Sequence, residues 1–219
     1  MDLPRTALNG SALMGLLAQL ALVDRPAKPA SPIKGLGRWL GWKEAIPLAA
    51  TLQAPPAVTG PPVALAPLLR EFQRVQTQLG HTIADDSSTR GEDGFDFLPF
   101  RRHCFSAQQA MGSAITPLRA QLRAAVARLS PAMAQLAALD AVMAGILAPR
   151  EQALLAQLPV LLDKHFTRLR EQHEATAGTP WLDTFRHDMR RLLHAELELR
   201  LQPAHGLLQT LRQTLPESP

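Results

Sequence analysis

The C-terminal part of the chain carries side chains whose types and spacing could perform acid–base or metal chemistry. Asp183 and His187 are four residues apart, and His194 follows His187 after seven residues. Both spacings place side chains on one face of a helix. A carboxylate beside two imidazoles could bind a metal ion or transfer a proton. The alternative is a solvated polar helix face, which would have the same composition.

Sequence patterns that specify a helical metal site are absent around these residues. Carboxylate-bridged metal sites in helical bundles use Glu-x-x-His on two helices, and neither this pattern nor His-Glu-x-x-His occurs in the chain. There is also no glycine-rich phosphate loop, no Gly-x-Ser-x-Gly and no second cysteine for a zinc site. The sequence therefore predicts no catalytic residue, no metal and no cofactor, and a protein that is not an enzyme.

A basic stretch is the clearest charge feature of the sequence. Between Phe97 and Leu139 the chain has no acidic residue but contains five arginines. At 100° per residue, three of them fall within about 40° of one another on a helix. The possible phosphate or partner contacts are Arg101, Arg102, Arg119 and Arg123. Such a strip could bind nucleic acid or an acidic partner, or it could be a solvated face.

Other ionisable residues lie within apolar patterns. Cys104 follows Arg101, Arg102 and His103, and neighbouring positive charge lowers the pKa of a thiol. Its position in an apolar seam favours a small buried hydrophobe instead. Asp140 lies within the apolar seam from 136 to 143, and His165 lies in a leucine-rich stretch. The sequence alone identifies no partner for either side chain.

The composition predicts helices almost throughout. The chain has 38 Leu and 34 Ala but only 7 Val and 5 Ile. Leucine and alanine lose little conformational freedom in a helix, whereas β-branched residues favour strands. The net charge is a mild +4. The longest apolar run, Ala12–Val23, is interrupted by Gln19 and is too short for a bilayer, which needs about 20 residues. We therefore expect a cytoplasmic protein with no direct membrane span.

Proline and glycine divide the chain into candidate domains. Residues 1–53 form a helical N-terminal unit, and residues 54–62 (Ala-Pro-Pro-Ala-Val-Thr-Gly-Pro-Pro) form an extended linker. A connecting helix is predicted over 63–83, followed by a polar loop over 84–94 whose composition is typical of disorder. Residues 95–219 are predicted to form a bundle of three long helices.

The long helices are predicted over about 96–129, 131–174 and 180–215. Ser130-Pro131 is typical of an N-cap followed by proline in the first turn. Prolines 117, 149, 159 and 203 lie inside these patterns, and an interior proline removes a helical hydrogen bond, so we expect kinks or breaks. The predicted fold is all-α: long kinked antiparallel helices in a bundle or an elongated coiled-coil-like domain, with a smaller helical N-terminal unit.

Several segments together resemble one protein family. They are Pro4-Arg5-Thr6, Leu8–Leu17, Arg38–Ile46, Phe100-Arg101-Arg102, Gln108–Met111, Leu136–Met143, Trp181–Arg186 and Ala195–Pro203. The chain resembles the proteobacterial family called domain of unknown function thirty-three forty-eight, over most of its length. The resemblance implies no catalytic residue. It implies a cytoplasmic accessory of an envelope assembly that includes an OmpA/MotB-like protein.

These observations favour a non-enzymatic helical interaction or adaptor protein. Its partner would be a helical protein or a second copy of the chain, bound helix in groove or as a coiled coil. Contact with a membrane-associated complex would go through that partner. The alternative is a nucleic-acid-associated protein that uses the basic strip on the 96–129 helix. An enzyme with a metal site around His187 and His194 is a third hypothesis.

Overall fold

The computed structural model describes residues 12–23, 42–53, 63–85, 87, 89, 96–173 and 180–215. Seven helices and no strand occur within these residues, and one long helix is bent. The helices are α1 (Ala12–Gln19), α2 (Trp42–Gln53), α3 (Leu65–Ala84), α4 (Leu98–Ala127), α5 (Pro131–Leu155), α6 (Leu158–His173) and α7 (Pro180–Thr214). The predicted all-α fold of long helices is confirmed. The predicted linker at 54–62 lies outside the described residues.

Side-chain caps fix where two of the long helices begin. Asp96 Oδ1 accepts the backbone N–H of Leu98 at 2.9 Å, at the start of α4. Ser130 Oγ accepts the N–H of Met133 at 3.2 Å, and Pro131 occupies the first turn of α5. Each cap satisfies a donor that has no partner inside the helix. The start of α5 therefore follows the sequence signal that predicted it.

The helix predicted over 131–174 is two helices in the structure, α5 and α6. They are separated by a turn at residues 156–157, two residues before Pro159. Proline has no N–H to donate to the carbonyl of Leu155, which explains a break at this point. By contrast, helices continue through Pro117, Pro149 and Pro203. Only one of the four interior prolines therefore coincides with a break.

The described chain packs as two compact units made of segments that alternate along the sequence. Unit 1 comprises Met1–Ala30, Thr77–Gly112 and Ala153–Arg200, and unit 2 comprises Ser31–Gln76, Ser113–Gln152 and Leu201–Pro219. Residues from α3, α4, α5 and α7 contribute to both units. The linear division predicted from the sequence follows chain order, whereas helix packing joins segments that are distant in sequence.

The core of unit 1 contains a cluster of aromatic rings. The ring of Phe166 lies 5.1 Å from that of Phe185 and 5.2 Å from that of Trp181, both nearly perpendicular to it. Phe100 is 5.2 Å from Phe185 and also edge-on. Edge-to-face geometry brings the positive ring edge against the negative face. This cluster joins α4, α6 and α7.

The core of unit 2 is mostly aliphatic, with Phe72 as its one large aromatic side chain among the described buried residues. Its largest buried side chains lie on α3, α4 and α7 and have the spacing of one helix face. They are Phe72, Val75, Ile115, Leu118, Leu122, Val126, Leu201, Leu207, Leu208 and Leu211. In the part of unit 2 that the structure describes, α2 contributes no buried side chain and α5 contributes only two alanines. The two helices most exposed in this unit are therefore α2 and α5.

Candidate functional site

The basic strip predicted on α4 is divided by an ion-pair cluster in unit 2. Arg119 Nε donates to Asp140 Oδ2 at 3.0 Å, and Arg123 Nη1 lies 3.5 Å from the same oxygen. All three side chains are largely buried. The acid that the sequence singled out on α5 therefore binds two of the four candidate arginines. Arg119 and Arg123 stabilise unit 2 and are much less available to a phosphate.

The other two arginines, Arg101 and Arg102, lie in unit 1 and are exposed. Phe105, one helical turn further along α4, is also 50% exposed. This aromatic residue was not among the contacts predicted for the strip. Its position one residue after Cys104, off the apolar seam, was a signal that could have identified it. The exposed basic surface is therefore the group Arg101, Arg102 and Phe105.

A cleft of about 390 Å³ lies beside this group in unit 1. Two arginines and two aspartates balance in charge around it, and two phenylalanines also line it. The lining residues are Asp96, Phe97, Leu98, Arg101, Asp163, Phe166, Thr167 and Arg170. Asp96 is already the cap of α4. The balanced charge gives the cleft no preference for anions.

The structure does not bring the polar cluster of the last helix together as a metal site. The Asp183 side chain is 83% exposed and pairs with Arg186, whose Nη1 lies 3.2 Å from its Oδ1. His187 and His194 are exposed. No group of three metal-ligating side chains occurs among the residues that the structure describes. The solvated-face interpretation fits this geometry, and the metal hypothesis has no geometric support.

A buried network of polar side chains, which was not predicted from the sequence, lies between α6 and α7. His165 Nε2 and Asp188 Oδ2 are 2.9 Å apart, and both residues are buried. Arg168 Nη2 lies 2.9 Å from His165 Nδ1. An arginine can only donate, so Nδ1 accepts and Nε2 carries the proton donated to Asp188. Each polar atom of the imidazole is therefore satisfied.

The same network of polar side chains also holds the end of α1. Arg168 Nη2 also donates to the carbonyl oxygen of Leu20 at 2.6 Å. Arg191 contacts Asp188 at 3.8 Å and Gln19 Oε1 at 3.5 Å. Ala21, immediately after Leu20, has a positive φ of 53°, where the backbone turns away from the helix. These contacts hold the chain at the point where α1 ends, at Gln19.

A second buried carboxylate, Glu196, is paired inside unit 1. Its Oε1 accepts from Arg200 Nε at 2.8 Å, and its Oε2 accepts from Gln108 Nε2 at 2.9 Å. The pKa of the nearby Cys104 thiol is raised to about 12, chiefly by burial and also by the charge of Glu196. The prediction of Cys104 as a small buried hydrophobe fits this environment, and a reactive thiolate does not.

The most exposed apolar element is α5. Its first 19 residues, Pro131–Pro149, contain one charged residue, and apolar side chains occur around its whole circumference. Nevertheless only Ala134, Ala137 and Leu155 are buried, and Leu136 is 45% exposed. A helix that is apolar on every side is normally enclosed by protein or lipid. Much of α5 therefore remains available for contact with another apolar surface.

Helix α2 adjoins α5 and also exposes large apolar side chains. Gln135 Nε2 donates to the carbonyl oxygen of Leu52 at 2.8 Å, which joins the end of α2 to the first turns of α5. Trp42 is 84% exposed and Ile46, one turn later, is 59% exposed. We call the exposed apolar residues of α2 and α5 the α2/α5 surface. It is the main candidate functional site of the described chain.

By length and composition alone, one part of the described chain could cross a membrane. It lies within Pro131–His173, where an 18-residue window has a mean hydropathy of 1.5 and is 11% buried. This segment is not a continuous apolar run, because Asp140 and the pair Arg150 and Glu151 interrupt it. Asp140 lies within α5 and is held by two arginines. The absence of a membrane span stays a prediction.

Comparison with known proteins identifies the family of this all-α chain. Residues 1–213 match the family described as "Protein of unknown function (DUF3348)". The match covers nearly the whole chain, and the protein belongs to this family. The resemblance predicted from the sequence segments is confirmed. A search of curated proteins and a search of solved structures each found no match.

Proposed function

We propose that this protein is a non-enzymatic helical interaction protein that binds a helical partner through the α2/α5 surface. The observation that carries the proposal is the mismatch between the composition of α5 and its burial. Its apolar side chains surround the helix, yet only three of its 25 residues are buried. Covering such a helix with a second apolar surface removes it from water and stabilises the complex.

The environment of the buried ionisable groups supports a structural role for them. His165 and Asp188 satisfy each other, and Glu196 is held by Gln108 and Arg200. A group that serves as acid, base or nucleophile must reach a substrate. These groups instead face side chains of their own unit. They are suited to holding the helices of unit 1 together.

The chemistry of α5 defines the partner that it fits. Over Pro131–Pro149 the only charge is Asp140, which is already paired with Arg119. The complementary surface should therefore be apolar and largely uncharged. An amphipathic helix that places its apolar side on α5 meets this requirement. A cytoplasmic location and an accessory role in an OmpA/MotB-like envelope assembly are further proposals, which rest on the family resemblance.

The test compares surface variants in the native host. Leu136→Glu and Ile46→Glu each place a charge on the α2/α5 surface at an exposed position. Val160→Glu makes the same change at an exposed valine of α6 and is the matched control. Chemical cross-linking and quantitative mass spectrometry then identify bound helical proteins, including other copies of the chain. We expect cross-linked partners that are present with the wild type and with Val160→Glu and are lost with both Leu136→Glu and Ile46→Glu. An unchanged set of cross-linked proteins would refute it.

A second candidate function has one observation in its favour, the exposed Phe105 beside Arg101 and Arg102. Single-stranded nucleic acid is bound by arginines that contact phosphates and aromatic rings that stack on bases. This candidate uses a different surface from the original strip, because Arg119 and Arg123 bind Asp140.

Fluorescence anisotropy with a labelled single-stranded oligonucleotide distinguishes this candidate. Binding that falls with added salt, and that is lost in both Phe105→Ala and the double variant Arg101→Ala/Arg102→Ala, would support it. Arg212→Ala, a change at another exposed arginine, is the control. No binding at low salt, or equal loss in the control, rejects the candidate.

A further inference from the structure

The cleft of unit 1 is lined by charges of both signs. It has a volume of about 390 Å³ and lies between the start of α4 and the helix α6. We propose that it binds a small zwitterion, a molecule whose ammonium and carboxylate groups each contact an opposite charge of the lining. Trp42, Ile46 and Leu136 of the α2/α5 surface lie in unit 2, so this site is separate from the one in the proposed function.

Two side chains on opposite walls of the cleft carry the argument. Arg101 on α4 and Asp163 on α6 both line the cleft, and both are exposed. Within the residues that the structure describes, neither side chain has a hydrogen bond or an ion pair, so the two are not paired with each other. A cation and an anion therefore line one cleft, and both are available to a ligand. A molecule with a carboxylate for Arg101 and an ammonium group for Asp163 can bridge the space between them.

Each wall of the cleft contains one acid and one base. Asp96 and Arg101 lie on the side of α4, and Asp163 and Arg170 lie on the side of α6. An ion of a single sign is attracted by one member of each pair and repelled by the other. A zwitterion can place each of its ends beside the opposite charge, so both of its groups are attracted. The arrangement of charges therefore favours a ligand that carries both signs.

The size and lining of the cleft restrict the ligand further. A volume of 390 Å³ is near the lower limit of about 300 Å³ for small-molecule sites, which suits a molecule of amino-acid size. Of the two rings in the lining, Phe166 is only 2% exposed, so the ring offers little apolar surface. Recognition therefore depends on charge more than on apolar contact. We expect a Kd of about 1 mM for a small ligand that makes so few contacts.

The experiment titrates the full chain with amino acids of increasing length and follows the NMR chemical shifts of residues 96–101 and 163–170. Glycine, β-alanine, γ-aminobutyrate and ε-aminohexanoate carry the same two charges at increasing separation. Butylamine and butyrate carry one charge each. We expect one zwitterion to bind most tightly, and about tenfold more tightly than either singly charged compound, because it makes a charge-assisted contact with each wall.

Two neutral variants separate the contacts made by the two ends of the ligand. Arg101→Gln should weaken the binding of the best zwitterion about tenfold and should weaken butyrate, but not butylamine. Asp163→Asn should weaken the same zwitterion by a similar factor and should weaken butylamine, but not butyrate. Arg102→Gln and Glu171→Gln are the matched controls, at exposed residues that do not line the cleft. They should change no affinity by more than about twofold, because exposed charges outside the cleft are screened.

Any other pattern of binding overturns the inference. Chemical shifts that stay unchanged at about 20 mM of every zwitterion would exclude a site with the expected affinity. Butyrate that binds as tightly as the best zwitterion would identify an anion site, and butylamine that does so would identify a cation site. Equal losses in Arg102→Gln or Glu171→Gln would show attraction to the general surface charge. None of these results affects the α2/α5 surface, which Leu136→Glu and Ile46→Glu test separately.

Discussion

Gln108 donates a hydrogen bond from its side-chain Nε2 to the main-chain oxygen of Leu155, 3.0 Å away. In a continuous helix that oxygen would accept the N–H of residue 159, but residue 159 is proline. The same amide nitrogen lies 2.9 Å from Oε2 of the buried Glu196. The Gln108 side chain on α4 therefore supplies the missing hydrogen bond at the end of α5 and also a hydrogen bond to the buried Glu196 carboxylate on α7.

Replacing Gln108 by methionine should destabilise unit 1. The change keeps the side-chain length but leaves the Leu155 carbonyl without its donor and removes one donor from Glu196. We expect the free energy of unfolding to fall by about 2–4 kcal/mol, as measured by urea denaturation. Gln172→Met, at an exposed position of α6, is the control. A loss equal to that of the control would contradict this account.

Asp140→Asn should weaken the packing of α4 on α5. The change removes the negative charge shared by Arg119 and Arg123, whose side chains are about one-fifth exposed. We expect a loss of about 1–2 kcal/mol in the free energy of unfolding, smaller in high salt, because partly exposed ion pairs are screened. Denaturation in low and high salt measures both effects. Asp163→Asn, at an exposed site, should change neither the free energy of unfolding nor its dependence on salt. A loss of stability in Asp140→Asn that does not depend on salt would count against an electrostatic cause.

Arg168→Ala should release the end of α1 from unit 1. The guanidinium joins the Leu20 carbonyl at 2.6 Å to His165 Nδ1 at 2.9 Å, so both contacts disappear together. Hydrogen exchange measured by mass spectrometry should become faster at residues 12–23, with a smaller change in α7. Lys164→Ala, an exposed neighbour on α6, serves as the control. Uniformly faster exchange would show a global effect instead.

Cys104 should be unreactive in the folded protein. Burial is the main reason that the pKa of its thiol rises from 9.0 to about 12, so the thiolate is scarce near neutral pH. Iodoacetamide labelling at pH 8 should be slow without denaturant and rapid in concentrated urea. Rapid labelling of the folded chain would contradict the burial of Cys104.

The same pKa difference predicts how stability depends on pH. The pKa is higher in the folded state than in the unfolded state, so the thiol stabilises the fold fully below pH 9. This contribution is lost as the pH rises from about 9 towards 12, because the unfolded chain ionises first. The pH dependence of unfolding should therefore be shallower in Cys104→Ala over that range. The chain has no tyrosine, which removes one group that would otherwise titrate there.

The sequence was sufficient to predict several elements because their determinants are local. The spacing of apolar residues predicted α4 and α7 to within two residues of their observed ends, and Ser130-Pro131 predicted the start of α5. The sequence did not reveal which interior proline would break a helix. The helix breaks at Pro159, where the Gln108 side chain donates to the Leu155 carbonyl that the proline leaves without a partner. By contrast, α4 continues through Pro117.

The candidate site was only partly predictable. The sequence selected Arg119, Arg123 and Asp140, yet their mutual ion pairs changed the interpretation from a binding strip to a structural cluster. It placed Asp183 and His187 on one helix face, which the structure exposes to solvent. The apolar character of α5 was visible in the sequence, whereas its low burial was not.

The sequence by itself determined that this protein is all-α and belongs to its family, because helix propensity, capping and periodicity act within a few residues of the chain. Only the tertiary structure decided which polar groups meet: Arg119 and Asp140 are 21 residues apart, His165 and Asp188 are 23 apart, and Gln108 and Glu196 are 88 apart. Such pairs depend on how whole helices pack, and so does the exposure of α5. Packing is a collective property of both surfaces in each contact, so no single segment of the sequence contains it.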